Sequence, residues 1–357
     1  MRLIDVLLEI KKYLRFLKLE GARKMKVLII GGTGIISTYV LKKCIDVGYD
    51  VTVMNRGHRN QDLPKDVNFI ACDINDESKA KQILEDHFFD SVIQFVAFTK
   101  DQVERDIRLF RDKTRQYIFI STASAYQKPV EDYPITEKTP LENPYWEYSR
   151  NKIVCESYLN SVKDINVTIV RPSHTYNNHM IMAPMTRWNY EYAHIKRLLD
   201  GKPIIIPGDG TSVWTITHAS DFANSFVYLI GNKEAYQDVF HITGEILYTW
   251  EQLTHILANA LGVKPQIIHI PSDVIIKYIP EMEGPLLGDK TWSAIFDNSK
   301  IKSISKEYSS KVRYEDIVHN VIKHYQEHPE LQRVSEEYEN LYDSLIEIYQ
   351  KLISYKG

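Results

Sequence analysis

Along the first half of the chain, short aliphatic runs alternate with stretches whose apolar residues fall three or four apart. The runs are KVLII (26–30), VTVM (51–54), VNFIA (67–71), SVIQFV (91–96), YIFI (117–120) and VTIV (167–170). They do not alternate apolar with polar, as strands with one wet face do. Continuous apolarity marks strands buried on both faces, the condition of a parallel sheet covered by helices. Helical spacing fills most of the gaps, near 36–47, 77–87, 101–113 and 147–162. This alternation predicts an α/β fold with a doubly wound parallel sheet. Beyond residue 170 the pattern turns irregular and richer in proline and aromatics, as in a smaller lobe built on loops.

Both ends carry a different signature. Leu3, Leu7, Ile10, Leu14 and Leu17 step by four and three, predicting an amphipathic helix over 1–24. Val334, Tyr338, Leu341, Leu345, Ile348 and Leu352 repeat the spacing in a C-terminal helix over 331–357. Two such stripes can pack on each other, seal a subunit contact in a homodimer, or lie separately on the body. A basic helix on a membrane surface is a further reading of the first.

Composition mainly excludes. The chain has 357 residues, 44% apolar and 25% charged, as in a soluble globular protein of about two domains. No apolar run reaches the roughly 18 residues of a membrane span. Acidic residues interrupt the N-terminal apolar stretch, which argues against a secretory leader. A formal net charge of −3 gives no reason to expect a nucleic-acid partner. Cys44, Cys72 and Cys155 are odd in number and lack paired spacing, so they read as reduced thiols of a cytoplasmic protein.

The chemistry begins directly after the first run, at GGTGIIS, with Gly31, Gly32, Thr33, Gly34, Ile35 and Ile36. Glycines between a buried strand and a helix let the backbone turn sharply and approach a pyrophosphate at the helix N-terminus. Ser37 takes the place of the third glycine and is small enough for close helix–strand packing. The second run should end in an acid that grips a ribose in NAD binders. It ends instead in Asn55, followed by Arg56 and Arg59. Arginine attracts a 2′-phosphate where an acid repels it, so NADP is favoured over NAD, unless these are solvated turn residues. After the third run, Asp73 and the Ile74 backbone are placed to meet an adenine, unless Asp73 only caps the next helix.

In this order, GGTGIIS, DIND, STASAY, YSRNK, RPSHTY, PGDGTSVWTITHASD and DNSKIK resemble the extended, or atypical, short-chain dehydrogenases/reductases, the NAD(P)-dependent nucleotide-sugar epimerases and dehydratases. The resemblance covers about residues 25–325. It implies a Rossmann domain over 25–172 with 215–242 returning to it, and a substrate lobe from 173–214 and 243–330. It implies Tyr148 as catalytic base, Lys152 as its partner and as a holder of the nicotinamide ribose, and Thr122 as the hydroxyl that orients the reacting group. Val96, Ala97, Phe98 and Pro172 would line the cofactor; Ser124, His174 and Trp214 would face the substrate. The chemistry agrees. At i and i+4, Tyr148 and Lys152 share one helix face. A phenol with a pKa of about 10 is a poor base, and a nearby ammonium favours its ionised form. With 23 tyrosines in the chain the spacing alone says little. The neighbouring rivals Tyr126 and Tyr145, however, have no lysine four residues on.

Several positions depart from the family. Its 4,6-dehydratases carry an Asp-Glu pair after the Thr122 position, where this chain has Ala123 and Ser124, so epimerisation or simple reduction gains. His174 stands where the family has asparagine; it reads as a substrate contact, an extra acid/base group or a satisfied buried histidine. Trp214 stands at or near an arginine that clamps a diphosphate, and it offers a ring face and one N–H but no charge. The substrate is therefore a nucleotide-sugar held differently, or another compound; His179, Arg187, Trp188 and Lys196 are the candidate replacements. No metal is expected, and no nucleophile elbow is present. The function expected is NAD(P)-dependent oxidoreduction or epimerisation at a secondary alcohol of a sugar or nucleotide-sugar. The alternative is a cofactor-binding, non-catalytic protein similar to chloroplast stem-loop RNA-binding proteins.

Overall fold

The computed structural model describes residues 23–354 except 60 and 62. The stripe Leu3–Leu17 of the expected N-terminal helix lies outside these residues. The first six strands are β1 (Lys26–Ile30), β2 (Asp50–Asn55), β3 (Asn68–Ala71), β4 (Ser91–Gln94), β5 (Tyr117–Ile120) and β6 (Val167–Pro172). Between them run α1 (Ile35–Asp46), α2 (Glu77–Ile83), α3 (Lys100–Phe110) and α4 (Glu147–Ser161). The chain then builds β7 (His174–Tyr176), α5 (Tyr192–Leu199), β8 (Ile204–Pro207) and β9 (Val213–His218) in a second lobe. It returns through α6 (Ala219–Phe226), which packs on α1, and β10 (Asp238–Ile242).

These elements make a seven-stranded sheet in the order β10-β6-β5-β4-β1-β2-β3, all its pairs parallel. β1 lies between β2 and β4, with Val27 opposite both Val51 and Ser91. The order reverses at β1, and ligands of such sheets bind beyond the strand ends at that point. The continuous apolarity of β1 now has its cause. Leu28 and Ile30 pack with Phe110, Tyr117 and Cys155 on one face, while Val27 and Ile29 pack with Val40, Phe222 and Phe226 on the other. Each such side chain contributes about 1.5–3 kcal/mol on burial.

Two local readings are corrected. The run 91–96 stops being a strand at Gln94, because its side chain accepts from the Val96 N–H at 2.7 Å and donates to Asp106 at 2.6 Å, bending the chain. The helix expected over 77–87 ends at Ile83. The seventh strand, DVFHI, lies in the stretch expected to return to the sheet but was not read as a strand.

The second lobe adds β11 (Leu247–Thr249), α7 (Trp250–Ala260), β12 (Ile267–Ile270) and α8 (Ser272–Tyr278); α9 (Ser299–Ile304) packs back on β10 of the large sheet, and α10 (Tyr314–Glu327) packs on α7. The lobe's sheets are β11-β9-β7 and β12-β8. The C-terminal helix α11 (Glu336–Ser354) packs on this lobe through Tyr338, Tyr342, Leu345 and Ile346. Leu341, Ile348 and Leu352 of the expected stripe are exposed, so the buried face is rotated from the one the spacing marked. Among the described residues, no helix is long and apolar enough to cross a membrane.

Candidate active site

The glycine loop sits at the carboxyl end of β1. Gly32 has φ +87°, and a Cβ there would lie 2.8 Å from Val53 Cγ1 of β2, so only glycine fits. Gly31 has φ +111° and is pinned by Asn55, whose side-chain amide donates to Gly31 O at 3.0 Å while its carbonyl accepts from the Gly57 N–H at 2.7 Å. Asn55 thus orders the loop, with Arg56 exposed beyond it. Gly34 opens α1, its N–H bonded to Ser37 Oγ at 2.8 Å. At the end of β4, Val96 and Phe98 stay 38% and 44% exposed. A cradle that excludes a Cβ, a helix N-terminus and adjoining apolar surface fit a dinucleotide. Asp73 does not cap the following helix; Asp76 does, accepting from the Lys79 N–H at 3.1 Å. Asp73 Oδ1 takes the Asn75 backbone and side-chain N–H groups at 3.0 and 2.9 Å.

The reacting groups come from β5 and α4. Thr122 Oγ1 lies 2.9 Å from Ser124 Oγ, which lies 2.7 Å from Ser149 Oγ. This hydroxyl chain fixes Thr122, which lines one cavity together with Tyr148. Ser121 donates to Glu156 Oε1 at 2.5 Å, and Glu156 holds Arg171 of β6 through contacts of 3.0 and 2.6 Å. This buried network locks the end of β5 against α4. Asn143 Oδ1 accepts from the Tyr145 and Trp146 N–H groups at 3.2 and 3.1 Å, shaping the turn into α4.

Lys152 is 1% exposed, and its ammonium donates to Ala97 O and Ile120 O at 2.7 Å each. One of its three N–H donors is left over. Burial lowers Lys152 to about 8, against Cys155 and Glu156, which raise it. Burial also pushes the Tyr148 phenol up, the Thr122 hydrogen bond opposes this, and Asp289 adds to it. The depression of Tyr148 expected from Lys152 is therefore not a property of the protein alone. The ammonium is 5.9 Å from the Tyr148 ring centre and is engaged by carbonyls.

Beside this pair opens a cavity of about 190 Å³ whose lining includes Thr122, Ser124, Tyr148, Pro172, His174 and Trp214. His174 stands edge-on to Trp214 and Trp250 at 6.0 and 5.8 Å. Burial lowers it to about 3, with Lys290 adding to the effect, so it is a neutral imidazole rather than a proton carrier at neutral pH. Trp214 is buried, and its Nε1 has no partner among the described residues.

The candidate replacements for the arginine clamp are not brought here. His179 stacks on His324 at 4.0 Å. Arg187 pairs with Glu281 and Glu337 at 3.2 and 3.1 Å, and Lys196 with Asp200 at 2.9 Å. Trp188 is 75% exposed and does not line the cavity. Of the rivals to Tyr148, Tyr126 is buried on His241 Nδ1 at 3.0 Å. His218 and Asp221 are scaffold, as expected: His218 caps α6, and Asp221 accepts from the N–H groups of Lys311 and Val312 at 2.9 and 3.0 Å.

Sequence reasoning missed Lys128, Trp146, Asp289 and Trp292 of the cavity wall. Asp289 lies in a single π-helical turn, Leu286–Lys290, a form frequent at functional sites. Asn143 donates to both Ser124 O and Gly288 O at 2.7 Å, joining this turn to the reacting loop. No local motif marks these residues.

A parallel seven-stranded sheet, a glycine cradle and a Tyr-Lys-Thr set define a Rossmann-type dinucleotide-binding protein. The model of the NAD dependent epimerase/dehydratase family matches residues 27–242, and the chain belongs to that family. This bears out the resemblance to extended short-chain dehydrogenases/reductases. The chain is 27% identical over 267 residues to the chloroplast stem-loop binding protein of 41 kDa b from Arabidopsis thaliana, covering 71% of this chain and 68% of that one. It is 24% identical over 345 residues to a UDP-glucose 4-epimerase from Lactobacillus helveticus, covering 85% and 98%. The solved structure of an epimerase from Methanothermobacter thermautotrophicus matches with a TM-score of 0.69 at 14% identity, covering 87% and 94%, which speaks to the fold alone.

Proposed function

We propose that this chain catalyses NAD(P)-dependent oxidoreduction or epimerisation at a secondary alcohol of a sugar-like substrate. The observation that carries this reading is the cavity that Thr122, Ser124 and Tyr148 line together, at the carboxyl end of the sheet that also carries the glycine cradle. A nicotinamide cofactor held by the glycine loop, Val96 and Phe98 supplies the hydride acceptor and donor. Tyr148 Oη takes the hydroxyl proton as the alcohol becomes a carbonyl and returns it on reduction. Thr122 Oγ1 holds the reacting oxygen, and Ser124 and Ser149 hold Thr122. The remaining N–H of Lys152 is available to a ribose hydroxyl. Ala123 and Ser124 leave no carboxyl beside Thr122, which favours hydride return over loss of water. Asn55 and Arg56, in place of an acid, support NADP over NAD.

Tyr148→Phe should cut turnover about 10²–10⁴-fold while leaving cofactor affinity unchanged, read by cofactor absorbance and calorimetry. Persistent turnover would remove Tyr148 from the base role. A second reading rests on the similarity to the chloroplast stem-loop binding protein: a cofactor-binding protein that holds RNA and catalyses nothing. Its test is a stem-loop RNA mobility shift, indifferent to Tyr148→Phe.

A further inference from the structure

The wall of the cavity carries two opposite charges that form no ion pair among the described residues. Lys128 is 7% exposed, lines the cavity, and its ammonium has no hydrogen bond or ion pair among the described residues. Asp289, part-buried in the π-helical turn, lines the same cavity, and its carboxylate likewise has no hydrogen bond or ion pair there. The two sense each other, since each shifts the other's protonation, and both line the same cavity. Buried polar groups are ordinarily hydrogen-bonded, and a buried charge is costly when unpaired. Such a pair, held apart in a walled space, is built for a ligand.

The charges say which ligand. An ammonium only donates hydrogen bonds and a carboxylate only accepts them. An anionic group on Lys128 would face Asp289, and a cationic group on Asp289 would face Lys128. Neighbouring hydroxyls satisfy both, one accepting from Lys128 and the other donating to Asp289. Trp146, Trp292 and Phe296 line the same space and offer apolar faces to the C–H face of a ring. Trp292 is itself anchored, its Nε1 donating to Leu287 O at 2.6 Å. No arginine is among the lining residues, and about 190 Å³ falls below the roughly 300–1,000 Å³ of sites for larger ligands.

Resting on the oxidoreductase reading above, we propose that the substrate is an uncharged sugar ring or polyol, free or glycosidic rather than nucleotide-linked, gripped through two neighbouring hydroxyls by Lys128 and Asp289.

The test uses the full chain loaded with NAD or NADP. One panel holds free hexoses, their methyl glycosides and single-deoxy analogues; a second holds UDP-glucose and UDP-galactose; a third holds glucosamine and glucuronate. Cofactor reduction and calorimetric binding are both read. At least one member of the first panel should turn over, and loss of a gripped hydroxyl should lower kcat/KM by about 10⁴-fold. Lys128→Met should raise its KM at least about tenfold, with kcat within about threefold, a split that a merely structural role would not give. Asp289→Asn should raise KM likewise, with no limit set on its kcat, because Asp289 also bears on the Tyr148 phenol. Where Lys128→Met does not fold, Lys128→Arg displaces the charge and the same split is read. A kcat/KM about tenfold higher for a UDP-sugar, or for an amino or acidic sugar, overturns the proposal and leaves the oxidoreductase reading standing. A KM unchanged in both variants does the same. Turnover and binding in none of the panels, with cofactor still bound, overturns both.

Discussion

Asp289→Asn should make the ligand-free protein more stable at neutral pH, and the gain should disappear in acid. Burial raises the Asp289 carboxyl from 3.8 to about 6, against the attraction of Lys128 and Lys290. A raised folded-state value means that the native protein holds this proton more tightly than the unfolded chain does. Between the unfolded and folded values the unfolded chain has lost the proton and the native protein still keeps it. Stability therefore falls as pH rises through that window, and the full penalty stands above it. A shift of about two units corresponds to about 3 kcal/mol at 1.36 kcal/mol per unit. Asparagine keeps the shape and carries no charge to desolvate. The attraction of Lys128 is already contained in that net shift, so nothing further is deducted for it. The net expectation is a gain of about 3 kcal/mol at about pH 8, shrinking to a small fraction of that at about pH 4. Urea unfolding of both proteins at the two pH values measures it. An equal gain at both, or a loss at the higher pH, would refute a charge held in the cavity against its own solvation.

Glu156→Gln should cost about 3–5 kcal/mol, because it leaves the Arg171 guanidinium buried without its charge partner. Thermal melting checks this, and a melting temperature unchanged from wild type would refute the locking role given to the network. His174→Asn should leave the shape of the pH–rate profile unchanged above about pH 5, since burial already holds the imidazole neutral down to about 3. Loss of an inflection near neutral pH on that substitution would show His174 to be a proton carrier after all.

What the sequence revealed and what it hid divide along a physical line. Strands covered on both faces write that environment into a contiguous stretch, so β1 and β5 were legible almost to the residue. Gln94 broke the fourth run for a reason no window contains: its side chain bonds Asp106 of α3, and its own loop. Gly31, Gly32 and Gly34 were legible because backbone geometry is local, whereas Tyr148 and Lys152 stood out through the ordered motifs around them and not through their spacing alone. Lys128 and Asp289 were not, since each is an ordinary charged residue until the fold brings loops from both lobes to one cavity. The reverse error has the same origin. Arg187 looked available for an anion, but its carboxylate partners, Glu281 and Glu337 of α11, come from far along the chain; the partner of Lys196, Asp200, stands only four residues on and was in plain view.

Asn143 has one consequence beyond local order. A single side-chain amide spans the carbonyl of Ser124 in the reacting loop and that of Gly288 in the π-helical turn, 2.7 Å to each. The reacting loop and the π-helical turn that carries Asp289 are thereby stitched together at one point, so Ser124 and Asp289 keep a set relation before anything enters the cavity they both line. Under the proposed grip on Asp289, the carbon presented to Tyr148 is set by that stitch as well as by the alcohols themselves.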